Sequence, residues 1–290
     1  MFKKIMNEIS IFKRDRYFYE KILRNQLEIG FQNILLGANK YYPPRLKGYS
    51  QGEEDFILYA ISRILNLKTF LEFGVEDWRE SNTRIISSLI NGKFCLIDGD
   101  KTNIQKIKQS REYYCSNIMA ISSWITVENI NGLIDDASTE LGSFFDVISI
   151  DLDGNDYWIL KELTARPKVF IVEYNSLFGR EKKISTKYNP EFARFNFDPS
   201  GCIYGASFVA LEKLLDERGY RLFHVSEMGN NLIFIQEEFY DSVAHIFLGC
   251  VEFREISYRE MHVSGIRSFM NYDKAQNYVL SDKSKYIELE

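Results

Sequence analysis

The sequence predicts an α/β fold in which a doubly wound, mostly parallel sheet carries helices on both faces and ends in an antiparallel hairpin. Short, continuously apolar runs alternate with amphipathic segments between residues 69 and 174, as strands buried on both faces do in such folds. The clearest example is the stretch Phe145–Leu160, in which an apolar run is followed directly by several acidic residues, including Asp151 and Asp153. Further along, two apolar runs flank a turn at Glu227–Asn231, which predicts the hairpin.

The individual elements follow from hydrophobic periodicity. Ser50 is the expected N-cap of the second helix, and Glu53 would complete a capping box there. Helices are expected at residues 1–36, 50–66, 78–91, 102–117, 156–164 and 206–218, with a Tyr-Tyr-Pro-Pro break at 41–44. Parallel strands are expected at Thr69–Val75, Lys93–Asp98, Ile125–Asn129, Phe145–Asp151 and Lys168–Tyr174, and the hairpin strands at Tyr220–Ser226 and Asn231–Gln236.

This pattern divides the chain into three parts. Residues 1–49 are an N-terminal helical extension, residues 50–236 are the Rossmann-like domain, and residues 237–290 are a C-terminal extension. Within the domain, residues 175–204 interrupt the strand–helix alternation, and a loop of that length above a sheet edge is expected to act as a lid. The terminal extensions are candidate surfaces for homo-oligomer formation.

Composition excludes several classes of protein. The net charge of −5 argues against a general nucleic-acid binder, although residues 1–49 carry ten Lys/Arg against four Asp/Glu. The four cysteines have no metal-ligand spacing, so neither a zinc site nor a disulfide framework is expected. No 18-residue apolar run and no secretory signal are visible, so we expect no transmembrane segment and a cytoplasmic location.

The first two strand ends carry the features of a nucleoside site. Gly74 follows the first strand and would let a ligand approach the backbone closely, beside Glu72, Val75 and Glu76. Asp98 ends the second strand 24 residues after Gly74, near the ~20-residue spacing at which a carboxylate accepts from ribose hydroxyls.

Two further features adjoin that site. Gly99 follows Asp98 directly. Glu128 and Asn129 end the predicted third strand, where they would either hydrogen-bond an adenine edge or simply be solvated.

In this order, the motifs resemble class I S-adenosylmethionine-dependent methyltransferases. The closer resemblance is to bacterial proteins of the FkbM and TylF/cephalosporin-hydroxylase type, which often occur with surface-polysaccharide genes. The stretches that carry it span about residues 50–235 and are Ser50–Leu58, Leu71–Arg84, Leu96–Asp100, Ile125–Asn131, Asp146–Ile159, Val169–Ser176 and Tyr204–Leu214.

The resemblance implies methyl transfer from S-adenosylmethionine, most simply to an oxygen of a sugar or another small acceptor such as a glycan precursor. Catalysis would then fall to Asp151 and Asp153. Mg²⁺ would be bound by Asp151, Glu173 and Asn175, because relatives hold a divalent ion with carboxylate and amide oxygens at these two strand ends. The implied cofactor contacts are Glu72, Gly74, Val75, Glu76, Asp98, Gly99, Glu128, Asn129 and Asp151.

Three roles remain open for the acids of the fourth strand. They could bind a metal, act as a general base without a metal, or cap the helix that begins near Asp156. Two other functions also remain open for the whole chain, namely a nucleoside-binding module without catalysis and a Rossmann enzyme that does not transfer methyl groups. The absence of GxGxxG disfavours the second of these.

Overall fold

The computed structural model describes residues 2–37, 46–256, 258–263 and 266–289, so the predicted break at 41–44 lies outside the described residues. Helix α1 (Phe2–Leu35) confirms the predicted N-terminal helix. Its inner face joins the main hydrophobic core through side chains spaced three or four residues apart, which are Leu23, Leu27, Phe31 and Ile34. The N-terminal extension therefore packs against the domain as part of its core.

A seven-stranded sheet forms the centre of the molecule. Its strands are β1 (Thr69–Phe73), β2 (Lys93–Asp98), β3 (Asn117–Ser122), β4 (Val147–Ile150), β5 (Val169–Glu173), β7 (Tyr220–Val225) and β8 (Asn231–Gln236), where β6 is the short strand Ile184–Thr186 outside this sheet. The order is β3-β2-β1-β4-β5-β8-β7. The first five strands are parallel, whereas β8 is antiparallel to both β5 and β7. This confirms the predicted Rossmann-like sheet with its antiparallel hairpin.

Helices cover both faces of the sheet. The helices after α1 are α2 (Glu54–Leu65), α3 (Arg84–Leu89), α4 (Lys101–Lys108), α5 (Arg111–Cys115), α6 (Ile130–Leu141), α7 (Asp156–Glu162), α8 (Arg194–Phe197), α9 (Phe208–Asp216), α10 (Glu237–Ala244) and α11 (Tyr272–Ser281). Of these, α8 and α11 belong to a separate apolar cluster and do not pack on the sheet. Successive strand residues alternate between two buried clusters: Phe70 packs with α1, α2 and α3, and Leu71 packs with α6, α7 and α9. A sheet buried on both faces explains the uninterrupted apolar runs in the sequence.

Three local predictions are wrong. The third strand lies at Asn117–Ser122 and not at Ile125–Asn129, because its six residues pair in register with Lys93–Asp98 of β2. The predicted helix 102–117 is consequently split into α4 and α5, and the helix predicted to begin at Trp78 begins at Arg84.

The capping box predicted for α2 is wrong as well. This helix begins at Glu54, and its N-cap Glu53 makes no side-chain capping bond. The Glu53 carboxylate instead contacts Nε2 of His224 at 2.8 Å and accepts from the backbone N–H of Glu227 at 2.9 Å. A long-range contact between α2 and the hairpin has thus replaced the local one.

The C-terminal extension packs on the loop predicted to be a lid. Strand β11 (Tyr286–Glu288) pairs antiparallel with β6 of the lid, and a third apolar cluster lies between the lid and helix α11. The extension also contains the hairpin of β9 (Tyr258–Val263) and β10 (Ile266–Asn271). The lid and the part of the extension from β9 to β11 therefore form one packed unit above the sheet edge, whereas α10 packs against the main core.

Among the helices of the described ranges, none combines the length and the apolar character needed to cross a bilayer.

Candidate active site

A cavity lies beyond the carboxyl ends of the parallel strands, where open α/β sheets bind their ligands. It has two chambers of about 230 and 240 Å³, which we call the first and the second chamber. The residues lining both are Gly74, Glu76, Asp151, Asp153 and Arg194. The first chamber adds Asp98, Gly99 and Trp124, and the second adds Glu72, Glu173 and mainly polar side chains. The two halves together have the size of a small-molecule site, roughly 300–1,000 Å³.

Gly74 brings the ends of β1 and β4 into contact. Its φ is +69°, and a Cβ atom at this position would lie 1.6 Å from the backbone carbonyl oxygen of Asp151. Only glycine fits such a backbone approach without a shift of one strand end. This geometry gives a physical reason for the single glycine in the motif after β1.

The Asp98 carboxylate fixes the loops that follow β1 and β2. Its Oδ2 accepts from the backbone N–H of Glu76 at 2.8 Å, and its Oδ1 accepts from the N–H of Asp100 at 2.8 Å and from Nδ2 of Asn103 at 3.2 Å. A carboxylate oxygen can accept two hydrogen bonds, so Oδ2 keeps capacity for a ligand hydroxyl in the first chamber.

Glu72 is buried and shapes the wall of the second chamber. Its carboxylate accepts from the hydroxyl of Ser81 at 2.6 Å, the backbone N–H of Asn82 at 2.8 Å and the hydroxyl of Thr83 at 2.5 Å. Burial raises the pKa of Glu72, and these bonds partly offset that rise. Because its oxygens are used in this way, Glu72 positions Ser81 and Asn82, which line the chamber themselves.

Three carboxylates meet in the second chamber. One oxygen from each of Asp151, Asp153 and Glu173 lies within 4.8 Å of the other two, which is a spacing that a divalent ion could bridge. Oε2 of Glu173 is buried and has no hydrogen-bond partner within the described part of the chain. Arg194 supplies a counter-charge, with its Nη1 2.5 Å from Oδ1 of Asp153. The donor set therefore fits a hard divalent cation such as Mg²⁺.

The electrostatics of this cluster favour a proton or a cation. Burial, followed by the charges of Glu173 and Asp153, raises the pKa of Asp151 well above its ordinary value. Burial also raises the pKa of Glu173 to about 8, with a further contribution from Asp153. Carboxylates that share a buried site cannot all ionise without a compensating charge, so the cluster can exchange protons near neutral pH.

Asp156, and not Asp151 or Asp153, makes the hydrogen bonds that order the loop before α7. Its Oδ1 accepts from the backbone N–H of Leu152 at 2.7 Å, and its Oδ2 accepts from the N–H of Gly154 at 3.0 Å. The N-cap residue of α7, Asn155, makes no side-chain capping bond. The metal and general-base interpretations of the two acids therefore remain, and the capping interpretation is wrong.

Four of the predicted site residues line neither chamber. Val75 is buried in the core. Glu128 is exposed and accepts from the hydroxyl of Tyr188 at 3.0 Å, because the strand that would have carried it to the edge lies elsewhere. Asn129 donates from Nδ2 to the carbonyl of Trp124 at 2.8 Å, and so orders the loop that does line the first chamber.

Asn175 is the fourth predicted site residue that lines neither chamber. Its Nδ2 donates to the carbonyl oxygens of Cys202 and Tyr204 at 2.8 and 3.0 Å, and its Oδ1 accepts from the N–H of Leu177 at 3.1 Å. This side chain closes the base of the lid. The oxygen cluster seen in the structure has Asp153 in the place predicted for Asn175.

Trp124 and Arg194 are two of the lining residues that were not predicted. Trp124 packs on Gly99, where a Cβ atom would lie 2.5 Å from its ring, and its Nε1 donates to the carbonyl of Pro190 at 2.6 Å. An aromatic residue just past a correctly placed β3 would have indicated it. Arg194 comes from the lid, which roofs both chambers through Phe192, Ala193, Arg194 and Phe195; a lone arginine in a long loop gives no comparable indication.

The solved structures that resemble this chain do so at low sequence identity. No family model matches the chain, and no curated protein matches it. Solved structures that resemble it include the N-terminal domain of EvdMO1 with SAH bound (14% identity, TM-score 0.42, 65% of this chain and 82% of that one). A second is a proposed caffeoyl-CoA O-methyltransferase from Staphylococcus aureus (16% identity, TM-score 0.44, 80% of this chain and 99% of that one). A third is an O-methyltransferase from Bacillus cereus in complex with SAH (17% identity, TM-score 0.41, 72% of this chain and 89% of that one). Function is therefore argued below from the site itself.

Proposed function

We propose that this chain is an S-adenosylmethionine-dependent methyltransferase that methylates an oxygen of a sugar or another small polar acceptor. The observation that carries the proposal is the pair of joined chambers at the sheet edge. Asp98 and Gly99 line the first, Glu173 lines the second, and Asp151 and Gly74 line both. A donor and an acceptor in neighbouring chambers would meet at Asp151.

The first chamber suits an adenosyl group. The remaining capacity of Asp98 Oδ2 can accept from a ribose hydroxyl, and the ring of Trp124 beside Gly99 offers a flat apolar surface to a base. Glu76, Asp151 and Asp153 lie where the two chambers meet, and they would attract the positive sulfonium of the donor. The same acids would repel a diphosphate, which disfavours a dinucleotide cofactor.

The second chamber suits a hydroxyl acceptor. Methyl transfer is an in-line displacement, so its first requirement is to hold the acceptor oxygen against the donor at near-attack distance. The raised pKa of Glu173 and of Asp151 makes each carboxylate, once it is ionised, a stronger base for the proton of the hydroxyl. Bound by Asp151, Asp153 and Glu173, Mg²⁺ would supply Lewis-acid polarisation of that oxygen.

The lining of the second chamber supports a hydroxyl-rich acceptor. Its other walls are formed largely by hydrogen-bonding side chains, which are Ser50, Gln51, Glu80, Ser81, Asn82 and Asn231. Such a surface pairs readily with several hydroxyls at once, as a sugar presents them. A role in surface-glycan synthesis extends the proposal, and it rests on the resemblance of the sequence.

Binding of S-adenosylhomocysteine, measured by calorimetry, tests the donor site. We expect micromolar-class affinity, and we expect Asp98→Ala to weaken it about tenfold or more, because a charge-assisted bond to ribose is lost. Asp98→Asn keeps an acceptor oxygen for the loops and serves as a second variant if the alanine variant misfolds. Asp136→Ala, an exposed change on α6, is the matched control. Absence of binding by the folded wild-type chain would overturn the proposal.

Turnover is tested by S-adenosylhomocysteine formation across a panel of sugar acceptors, with and without Mg²⁺. Asp151→Asn should lower kcat by about 10²-fold or more while S-adenosylhomocysteine still binds. Binding without turnover on any acceptor would favour the nucleoside-binding module over the enzyme.

A further inference from the structure

A third chamber of about 280 Å³ adjoins the second one at the boundary between the lid and the C-terminal extension. Arg194 and Phe195 line both. Its remaining walls come from the lid and from β9, and they are Ser200, Gly201, Arg259, Glu260, Met261 and His262. A ligand that occupies the second chamber could therefore extend past Arg194 into the third.

The third chamber holds an arginine that pairs with no carboxylate of the described residues. Arg259 is half-buried, and its guanidinium carbon lies 5.1 Å from the centre of the buried Tyr204 ring. Within the described residues, no carboxylate forms an ion pair with it, whereas Arg194 pairs with Asp153 and Arg267 pairs with Glu260. Glu260, the acid that shares this wall, is already paired with Arg267, so the Arg259 guanidinium is well placed to bind an anion from outside the chain.

Arg194 and Arg259 converge on the same tyrosine. The guanidinium carbon of Arg194 lies 3.8 Å from the centre of the Tyr204 ring, and its Nε donates to the carbonyl of Gly201 at 2.8 Å. Both arginines are also close enough to influence Glu173: burial and Asp153 raise the pKa of that acid, and Arg194 and Arg259 act against the rise. The positive wall of the third chamber therefore lies within electrostatic reach of the acidic cluster.

We propose that the acceptor carries a carboxylate or a phosphate, which Arg259, assisted by Arg194, binds in the third chamber while the hydroxyl to be methylated lies at the acidic cluster of the second. The placement of the hydroxyl rests on the proposed function; the binding of the anion by Arg259 does not.

Charge separation between the two chambers would fix the orientation of the acceptor. Asp151, Asp153 and Glu173 repel an anion from the second chamber, and the guanidinium groups attract it to the third. His262, whose ring centre lies 5.1 Å from that of Phe195, adds a hydrogen-bonding group to the positive side. A neutral sugar would lack this preference and could enter in several orientations.

Binding of three monosaccharides to the full-length chain tests the proposal. Ligand-detected NMR titrations with D-glucuronate, D-glucose 6-phosphate and D-glucose compare a carboxylate, a phosphate and a neutral sugar, each with and without S-adenosylhomocysteine. Arg259→Gln removes the charge, and Arg259→Lys keeps it. Arg221→Gln is the matched control, since Arg221 also lies on a strand over a tyrosine ring, 4.0 Å from the centre of Tyr240, but lines none of the three chambers.

We expect at least one of the two anionic sugars to bind about tenfold or more tightly than glucose. Arg259→Gln should abolish that preference, Arg259→Lys should keep part of it, and Arg221→Gln should leave it intact. Equal binding of all three sugars, no binding of either anion at millimolar concentration, or a preference that survives Arg259→Gln would overturn the inference. Failure of S-adenosylhomocysteine to bind would overturn the proposed function alone, because the sugars are also compared without it.

Discussion

Replacing Gly74 by alanine tests whether the contact between β1 and β4 holds the site in shape. An L-residue in the left-handed region costs about 1 kcal/mol, even where space is free. Here the added Cβ would also lie 1.6 Å from the carbonyl oxygen of Asp151 and 2.8 Å from its carbonyl carbon. Backbone atoms at a strand end cannot rotate away, so we add about 1–3 kcal/mol for overpacking. The free energy of unfolding should therefore fall by roughly 2–4 kcal/mol.

Gly142→Ala separates the two contributions. Gly142 is the C-cap of α6 with φ +64°, and a Cβ atom there would meet nothing within 4 Å. This control should lose only about 1 kcal/mol in urea denaturation, and it should bind S-adenosylhomocysteine like the wild type. Gly74→Ala should bind it at least about tenfold more weakly, because Asp151 moves. Equal losses of stability in the two variants, or unchanged binding by Gly74→Ala, would refute the reasoning.

Three further changes test other parts of the structure. Burial raises the pKa of Asp55 from 3.8 to about 6, so the folded state holds this proton more tightly and its stabilising effect is lost as pH rises through that range. The urea stability of wild type relative to Asp55→Asn should fall by roughly 2 kcal/mol between pH 4 and 6, and a constant difference would contradict this. Breaking the buried pair of Asp198 and Lys285, 2.5 Å apart, with Asp198→Ala should cost about 3 kcal/mol in the same assay. Lys182→Gln, at an exposed pair, is its control and should change stability little. Similar losses in the two variants would contradict a stabilising role for the pair of Asp198 and Lys285. Mg²⁺ should raise the Tm of the wild type but not of Glu173→Gln, and equal responses would exclude Glu173 as a ligand.

Most strands of the sheet were predictable because each is marked by a local sequence pattern. Strand β2 lies at the predicted Lys93–Asp98, since a continuous apolar run between two polar segments admits one placement. The position of strand β3 was not predictable in this way, because the sequence from 117 to 129 contains two short segments that could each form a strand. Pairing of Asn117–Ser122 with β2 decides between them, and this choice moves Glu128 away from the site.

The candidate site likewise contains residues that could be predicted from the sequence and residues that could not. Asp98 and Asp151 were predictable because the ends of parallel strands share one edge, so their positions follow from the strand order. Arg194 and Arg259 could not be predicted as site residues, because their positions depend on long-range packing of the lid against the C-terminal extension. The pairing of β6 with β11 and the apolar cluster beneath it arrange that unit, and neither feature is visible in any single segment of sequence.

The charge distribution of the cavity also suggests how donor and product would be distinguished. Glu76, Asp151 and Asp153 line both chambers with Arg194 as their cationic neighbour, and burial together with the charge of Asp153 raises the pKa of Glu76. A cation placed among these acids relieves their mutual repulsion. In the proposed reaction the donor is a cationic sulfonium and the product is a neutral thioether. The electrostatic attraction between these carboxylates and the sulfonium would therefore largely disappear once the methyl group has left. The same cluster would favour both donor binding and product release.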